Sequence, residues 1–231
     1  MIALQSPAER RLMQALVSEF KPSAKKIKLL NIGANTSVVV EQVLHQEGID
    51  FMCDRIDVID PTVPEHFSWL GKSVQASVET MPQISSDTYQ GAFANFVFEH
   101  LEHPEQAAQE VARVLSPQGI FVCSIPNSQA PEFWLSHHTP QWFHQYVRGY
   151  SESAEAEAHH THYHYSSVRE LIKIFESAGL KLEKSWYDPA TYVYLHRFPI
   201  IKYVSKAYDW LIEKLGWKRL LGAVCLVFRK S

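Results

Sequence analysis

Cysteine is scarce in this chain: three residues in 231, at Cys53, Cys123 and Cys225, each inside an apolar, strand-like run. An odd number in such settings argues against a disulfide framework. It reads as reduced, buried, small hydrophobes, as expected of a cytoplasmic protein. Long apolar runs are missing too. No stretch reaches 18 uninterrupted apolar residues, so no spanning helix is expected. The opening MIALQSPAERRLMQAL carries Glu9, Arg10 and Arg11 within its apolar spacing, which suits an amphipathic helix and not a signal peptide. Charge of one sign is lacking as well: 22 Lys and Arg against 25 Asp and Glu leave −3. That provides no basic field for nucleic acid. Internal repeats and low-complexity tracts are absent.

What is present is an apolar fraction of 46% with 20% charged residues, enough for the core of one full α/β domain and too little for two large ones. Ile27 to Ile32 reads as a strand, Gly33-Ala34-Asn35-Thr36-Ser37 as a turn and Val38 to Gln46 as a helix. A short strand from Ile49 is expected to end at Asp54, and a third strand is expected over Val74 to Val78. The clearest segment is Tyr89 to Asn127. There an apolar strand (Ala92 to Phe98) precedes a helix with Leu101, Ala107, Ala108, Val111, Val114 and Leu115 at helical spacing. A Ser-Pro-Gln-Gly turn and a second strand (Ile120 to Ile125) follow. Strand, helix, turn, strand is one βαβ crossover of a parallel sheet. Ser166 and Ser167 are placed to cap a helix through Ala178 that Gly179 stops. Leu180 to Trp186 and Val224 to Phe228 complete the strands.

Glu99-His100 after the fourth strand, "RVL-SPQG" before the fifth and "SIPN" after it resemble the second half of class I S-adenosylmethionine-dependent methyltransferases of the type 11-like kind. The resemblance implies a Rossmann-like α/β fold in one domain over 1–231. It would hold a seven-stranded, mostly parallel sheet with helices on both faces and an antiparallel last strand. The core would span about 24–186 plus 222–229, with cap segments about 126–165 and 187–221. It also implies S-adenosyl-L-methionine as cofactor. Ligands of such sheets bind at the carboxyl ends of the strands, where strand order reverses. The family's acidic residue followed by Gly-x-Gly-x-Gly corresponds here to Asn31, Gly33, Asn35 and Ser37, so only the first glycine is kept. Asn35 tolerates the left-handed region better than most residues. Asn31, Gly33, Ala34 and Asn35 are therefore cofactor candidates. Asp54, 21 residues after Gly33, is chosen as the ribose acid, with Asp60 in "VIDP" as runner-up. Asp54 keeps Asp54, Arg55 and Asp57 out of a buried strand, where unpaired charges are costly. By resemblance, Ser77 and Val78 belong to the adenine loop, and Asn95 and Phe96 pass beside the methionine part.

Methyl transfer from a sulfonium is an in-line displacement that asks the protein for alignment and for a base. His100 is the catalytic candidate, at the catalytic end of the fourth strand; a structural role for it is the alternative. Some relatives hold a divalent ion with an acid three residues before Glu-His, and here Phe96 stands at that position. No metal is expected. The histidines at 137, 138, 144, 159, 160, 162 and 164 form no clean pair-and-pair zinc spacing. Phe133, Trp134, Trp142, Phe143 and Tyr146, with Trp186, Tyr187, Tyr192, Tyr194 and Phe198, suit a small-molecule or lipid-linked acceptor, methylated at oxygen. Within 196–221 a helix gathers Ile200, Ile201, Val204, Ala207, Tyr208, Leu211, Ile212 and Leu215, with Lys202, Lys206, Glu213 and Lys214 on its other side. It packs on the domain, makes a homodimer or lies on a membrane surface. The rival to an enzyme is a non-catalytic binding or scaffold protein that lost cofactor affinity through Asn31, Asn35 and Ser37.

Overall fold

A computed structural model describes residues 6–21, 23, 25–131, 164–196 and 198–231. The histidines from 137 to 162 and the aromatic residues from 133 to 146 lie outside the described residues. In chain order the elements are α1 (Pro7–Phe20), β1 (Ile27–Ile32), α2 (Val39–Gln46), β2 (Phe51–Asp57), β3 (Leu70–Gln75) and β4 (Tyr89–Asn95). Then follow α3 (Pro104–Val114), β5 (Leu115–Pro126), α4 (Val168–Ser177), β6 (Leu180–Asp188), α5 (Thr191–Leu195), α6 (Ile201–Leu215) and β7 (Ala223–Lys230).

The sheet has seven strands in the order β3-β2-β1-β4-β5-β7-β6. β1 to β5 are parallel, and β7 inserts antiparallel between β5 and β6. One face is covered by α1 and α2, through Leu12, Leu16, Val40 and Leu44 on Leu29, Cys53 and Phe93. The other is covered by α3 and α4, through Ala107, Val111, Leu171 and Phe175 on Leu30, Ala92 and Phe121. A Rossmann-like three-layer fold results, with its switch point between β1 and β4. All three cysteines are free and buried, and burial raises each thiol, Cys225 to about 12. Ser167 caps α4 as expected, its side chain accepting from the Glu170 N–H at 3.3 Å.

Several strand boundaries differ from the sequence reading: β4 is Tyr89–Asn95 and not Ala92 to Phe98, since the chain leaves the sheet at Phe96, and β5 begins at Leu115 and not Ile120. β3 is Leu70–Gln75 and not Val74 to Val78, because an edge strand need not be apolar: Gly71, Lys72 and Ser73 face solvent. β2 runs past Asp54 to Asp57. It carries its charges because each finds a partner. Arg55 Nη1 donates to Glu41 Oε1 on α2 at 2.7 Å, with both side chains 1% exposed. Asp54 accepts from the Tyr89 hydroxyl at 2.8 Å and the Lys72 N–H at 2.8 Å, and pairs with Lys28 at 3.2 Å.

Candidate functional site

The carboxyl ends of β1, β2, β3 and β4 converge on the turn after β1. Gly33 is there with φ +69°. Its N–H and that of Ala34 donate to the Ile56 carbonyl, at 2.8 and 3.2 Å. A Cβ on Gly33 would sit 2.2 Å from Val97 Cγ2, so only glycine allows the β1 turn to approach the end of β4 this closely. Asn35 follows at φ +45°, a left-handed position that asparagine accepts. Its side-chain oxygen accepts from the Thr36 N–H at 2.5 Å.

Arg55 holds this turn from beneath. Its Nη2 donates to the carbonyls of Ala34 (3.0 Å), Asn35 (2.8 Å) and Ser37 (2.9 Å), while Nη1 pairs with Glu41. Glu41 Oε1 also accepts from Asn31 Nδ2 at 2.7 Å. Burial pushes the Glu41 carboxyl above its ordinary range, with the Arg55 charge opposing. Asn31 therefore belongs to a buried Asn31–Glu41–Arg55 network. Its amide nitrogen is turned toward α2 and not toward the strand ends.

The acid that closes β2 is Asp57. Its Oδ2 accepts from the Asn35 N–H at 2.8 Å and its Oδ1 from the Ile59 N–H at 3.2 Å. A carboxylate oxygen has capacity for a second donor, so two ribose hydroxyls could be accepted here. Asp54, chosen from spacing, is three residues earlier, about 10 Å back along the strand. Its oxygens are engaged by Tyr89, Lys28 and the Lys72 N–H. Because the paired charges let β2 continue, the carboxylate at the strand end is that of Asp57 and not that of Asp54. Asp60 lies beyond the strand, exposed, in a turn closed by the Thr62 N–H at 3.0 Å. The missed signal was Glu41, one helix away, as counter-charge for Arg55.

The Ala76 N–H donates to the Asp57 carbonyl at 2.8 Å, which brings Ser77 and Val78 beside the same strand end. The Ser77 hydroxyl accepts from the Glu79 N–H at 3.1 Å, and Glu79 Oε1 accepts from the His103 N–H at 2.6 Å at the start of α3. Val78 is buried in the core. At the end of β4, Asn95 Oδ1 accepts from the Ser124 hydroxyl, and Asn95 Nδ2 donates to Glu9 Oε1 at 3.3 Å. Glu9, which the sequence reading took only as a charge of an amphipathic helix, brings α1 to the site. Phe96 is held at φ +55°, a costly conformation for an aromatic residue, with its N–H on the Ser124 carbonyl at 3.0 Å. Such strain gathers at functional sites.

His100 ends a 3₁₀ turn over Phe98–His100, its side chain about a quarter exposed, with Nε2 4.0 Å from Glu99 Oε1. Glu99 is fully buried and burial raises its carboxyl to about 8; Oε2 has no hydrogen-bond partner among the described residues. Among those residues no group of three His, Cys, Asp or Glu side chains could hold a metal ion. His164 is exposed.

Residues 5–185 match the family described as a methyltransferase domain. The chain belongs to that methyltransferase family. Its cofactor is S-adenosylmethionine. No curated protein matches this methyltransferase. Solved structures do at the level of fold. An S-adenosylmethionine-dependent methyltransferase from Mesorhizobium loti is 14% identical, with a TM-score of 0.61 over 96% of this chain and 98% of that one. A Burkholderia thailandensis 1,6-didemethyltoxoflavin-N1-methyltransferase, with bound 1,6-didemethyltoxoflavin and S-adenosylhomocysteine, is 14% identical with a TM-score of 0.59, over 98% and 80%. The [4+2]-cyclase SpnF is also 14% identical, with a TM-score of 0.60 over 100% and 84%. A fold shared with a cyclase does not choose the acceptor of the methyltransferase.

Proposed function

We propose that this methyltransferase alkylates an oxygen of a small, partly apolar or lipid- or sugar-linked acceptor, with the cofactor held by Gly33, Ala34, Asn35, Asp57, Ser77, Val78, Asn95 and Phe96. The observation that carries the cofactor half is the cradle at the switch point. Gly33 has no room for a Cβ against Val97, and Asp57 closes the neighbouring strand with its carboxylate on the same turn. When bound, S-adenosylmethionine supplies a methyl group on a sulfonium, open to in-line displacement. The protein's part is to position the acceptor and to receive its proton. We assign that second task to His100, which ends the 3₁₀ turn after β4 with its side chain partly open to solvent. An imidazole base suits an acceptor with a proton to lose. Tyr187 and Tyr192 of the second cap segment are half-buried and support an apolar or stacked acceptor.

Calorimetric titration with S-adenosylmethionine and S-adenosylhomocysteine tests the cradle. Saturable binding in the micromolar range is expected. Asp57→Ala should weaken it by about 1–3 kcal/mol, through loss of charge-assisted hydrogen bonds to the ribose. Asp54→Ala should lower stability and leave affinity unchanged. The converse pattern would return the ribose to Asp54. No binding of either ligand at millimolar concentration would favour the scaffold reading, to which the committed amide of Asn31 lends its support.

A further inference from the structure

Helix α6 is built inside out for a helix of a globular domain. The residues it buries are Ser205, Asp209 and Ile212. Ser205 donates to the Lys202 carbonyl at 3.0 Å, and Asp209 Oδ2 accepts from the Tyr192 N–H of α5 at 2.8 Å. Apolar side chains point outward instead: Ile200 is 80% exposed, Tyr203 68%, Val204 66% and Trp210 60%, with Leu211 and Leu215 beside them. Trp217, just past the Gly216 cap, extends the patch. Of the apolar face expected to pack on the domain, only Ile212 is buried; the inward anchor is the polar Asp209 contact. Single exposed apolar residues are ordinary, but a contiguous face on one helix marks an interaction surface.

Its chemistry selects the partner. Residues 196–221 hold six Lys and Arg against two Asp and Glu, in a chain whose net charge is −3. One of those two acids, Asp209, is buried. Lys214 Nζ lies 4.8 Å from the Trp210 ring centre and Lys202 Nζ 4.9 Å from that of Tyr203, so ammonium groups sit over the rings of the exposed face. Aliphatic side chains, amphipathic Trp and Tyr rings and flanking lysines match the acyl, interfacial and headgroup layers of an anionic membrane. Pairing two copies through this face would bring two basic surfaces together and repel. No helix among the described residues is long and apolar enough to cross a bilayer, so the contact would be peripheral.

We infer that α6 and the Trp217 corner dock this enzyme on an anionic phospholipid surface. The inference does not depend on which acceptor is methylated. The test is flotation of the full chain with vesicles of phosphatidylcholine mixed with phosphatidylglycerol, and with vesicles of phosphatidylcholine alone. Binding to the mixed vesicles, at least tenfold weaker to the neutral ones and falling with added salt, is expected. Val204→Asp/Leu211→Asp should weaken that binding at least tenfold, with thermal stability retained because both positions face solvent. Absence of vesicle binding would overturn the inference, as would a variant that binds like the wild type. So would light scattering that shows a wild-type dimer and a monomeric variant, which would make the face an interface between copies.

Discussion

Arg55→Met will lower the unfolding free energy by about 3–5 kcal/mol, measured by denaturant titration at neutral pH with an unchanged m-value. Methionine fills much of the volume, so cavity formation is a small part of the loss. The larger part is electrostatic. Glu41 would keep a buried carboxylate without its counter-charge, and the carbonyls of Ala34, Asn35 and Ser37 would lose their common donor. Breaking one side of a buried pair leaves an uncompensated charge, whereas removing both sides is often nearly neutral. Arg55→Met/Glu41→Leu should therefore regain a large share of the loss. Cofactor affinity should not return with it, because the guanidinium that gathers the turn carbonyls is still missing. A double variant as unstable as the single one would show that the carbonyl contacts, and not the ion pair, dominate.

The same network explains which parts of the molecule could be read from the chain. Tyr89 to Asn127 was legible because its signals are local: apolar strands, helical spacing in α3 and the Ser-Pro-Gln-Gly turn. The positions of Gly33, Asn35 and Phe96 followed from strand order, and all three adopt positive φ at the switch point. The end of β2 was not legible. A run Cys-Asp-Arg-Ile-Asp looks too charged for a buried strand until Glu41 is brought to Arg55 by the packing of α2 on the sheet. That contact spans 14 residues and two elements, and no local pattern reports it. The same omission hid Asp57 as the residue that closes β2. For α6 the helix itself was legible, but which side faces inward was not. The Asp209 contact to the Tyr192 N–H of α5 decides the orientation, and it places the apolar face outward.

Glu99→Gln should produce the second large effect, and it should depend on pH. Glu99 sits in the core between β4 and α3, where burial raises its carboxyl from 4.5 to about 8. The unfolded chain releases this proton near its ordinary value, so between about 4.5 and 8 the folded protein holds one proton more than the unfolded. Stability contributed by the protonated carboxyl is complete below 4.5 and is lost as pH rises through that window. The slope is about 1.4 kcal/mol per pH unit for one proton. Glutamine imitates the neutral carboxyl and cannot ionise. The variant should therefore match the wild type near pH 5 and exceed it by several kcal/mol near pH 9, in paired denaturant titrations. Other titrating groups are common to both proteins and cancel in the difference. A constant difference across pH would mean that Glu99 is already ionised at neutral pH in the folded state.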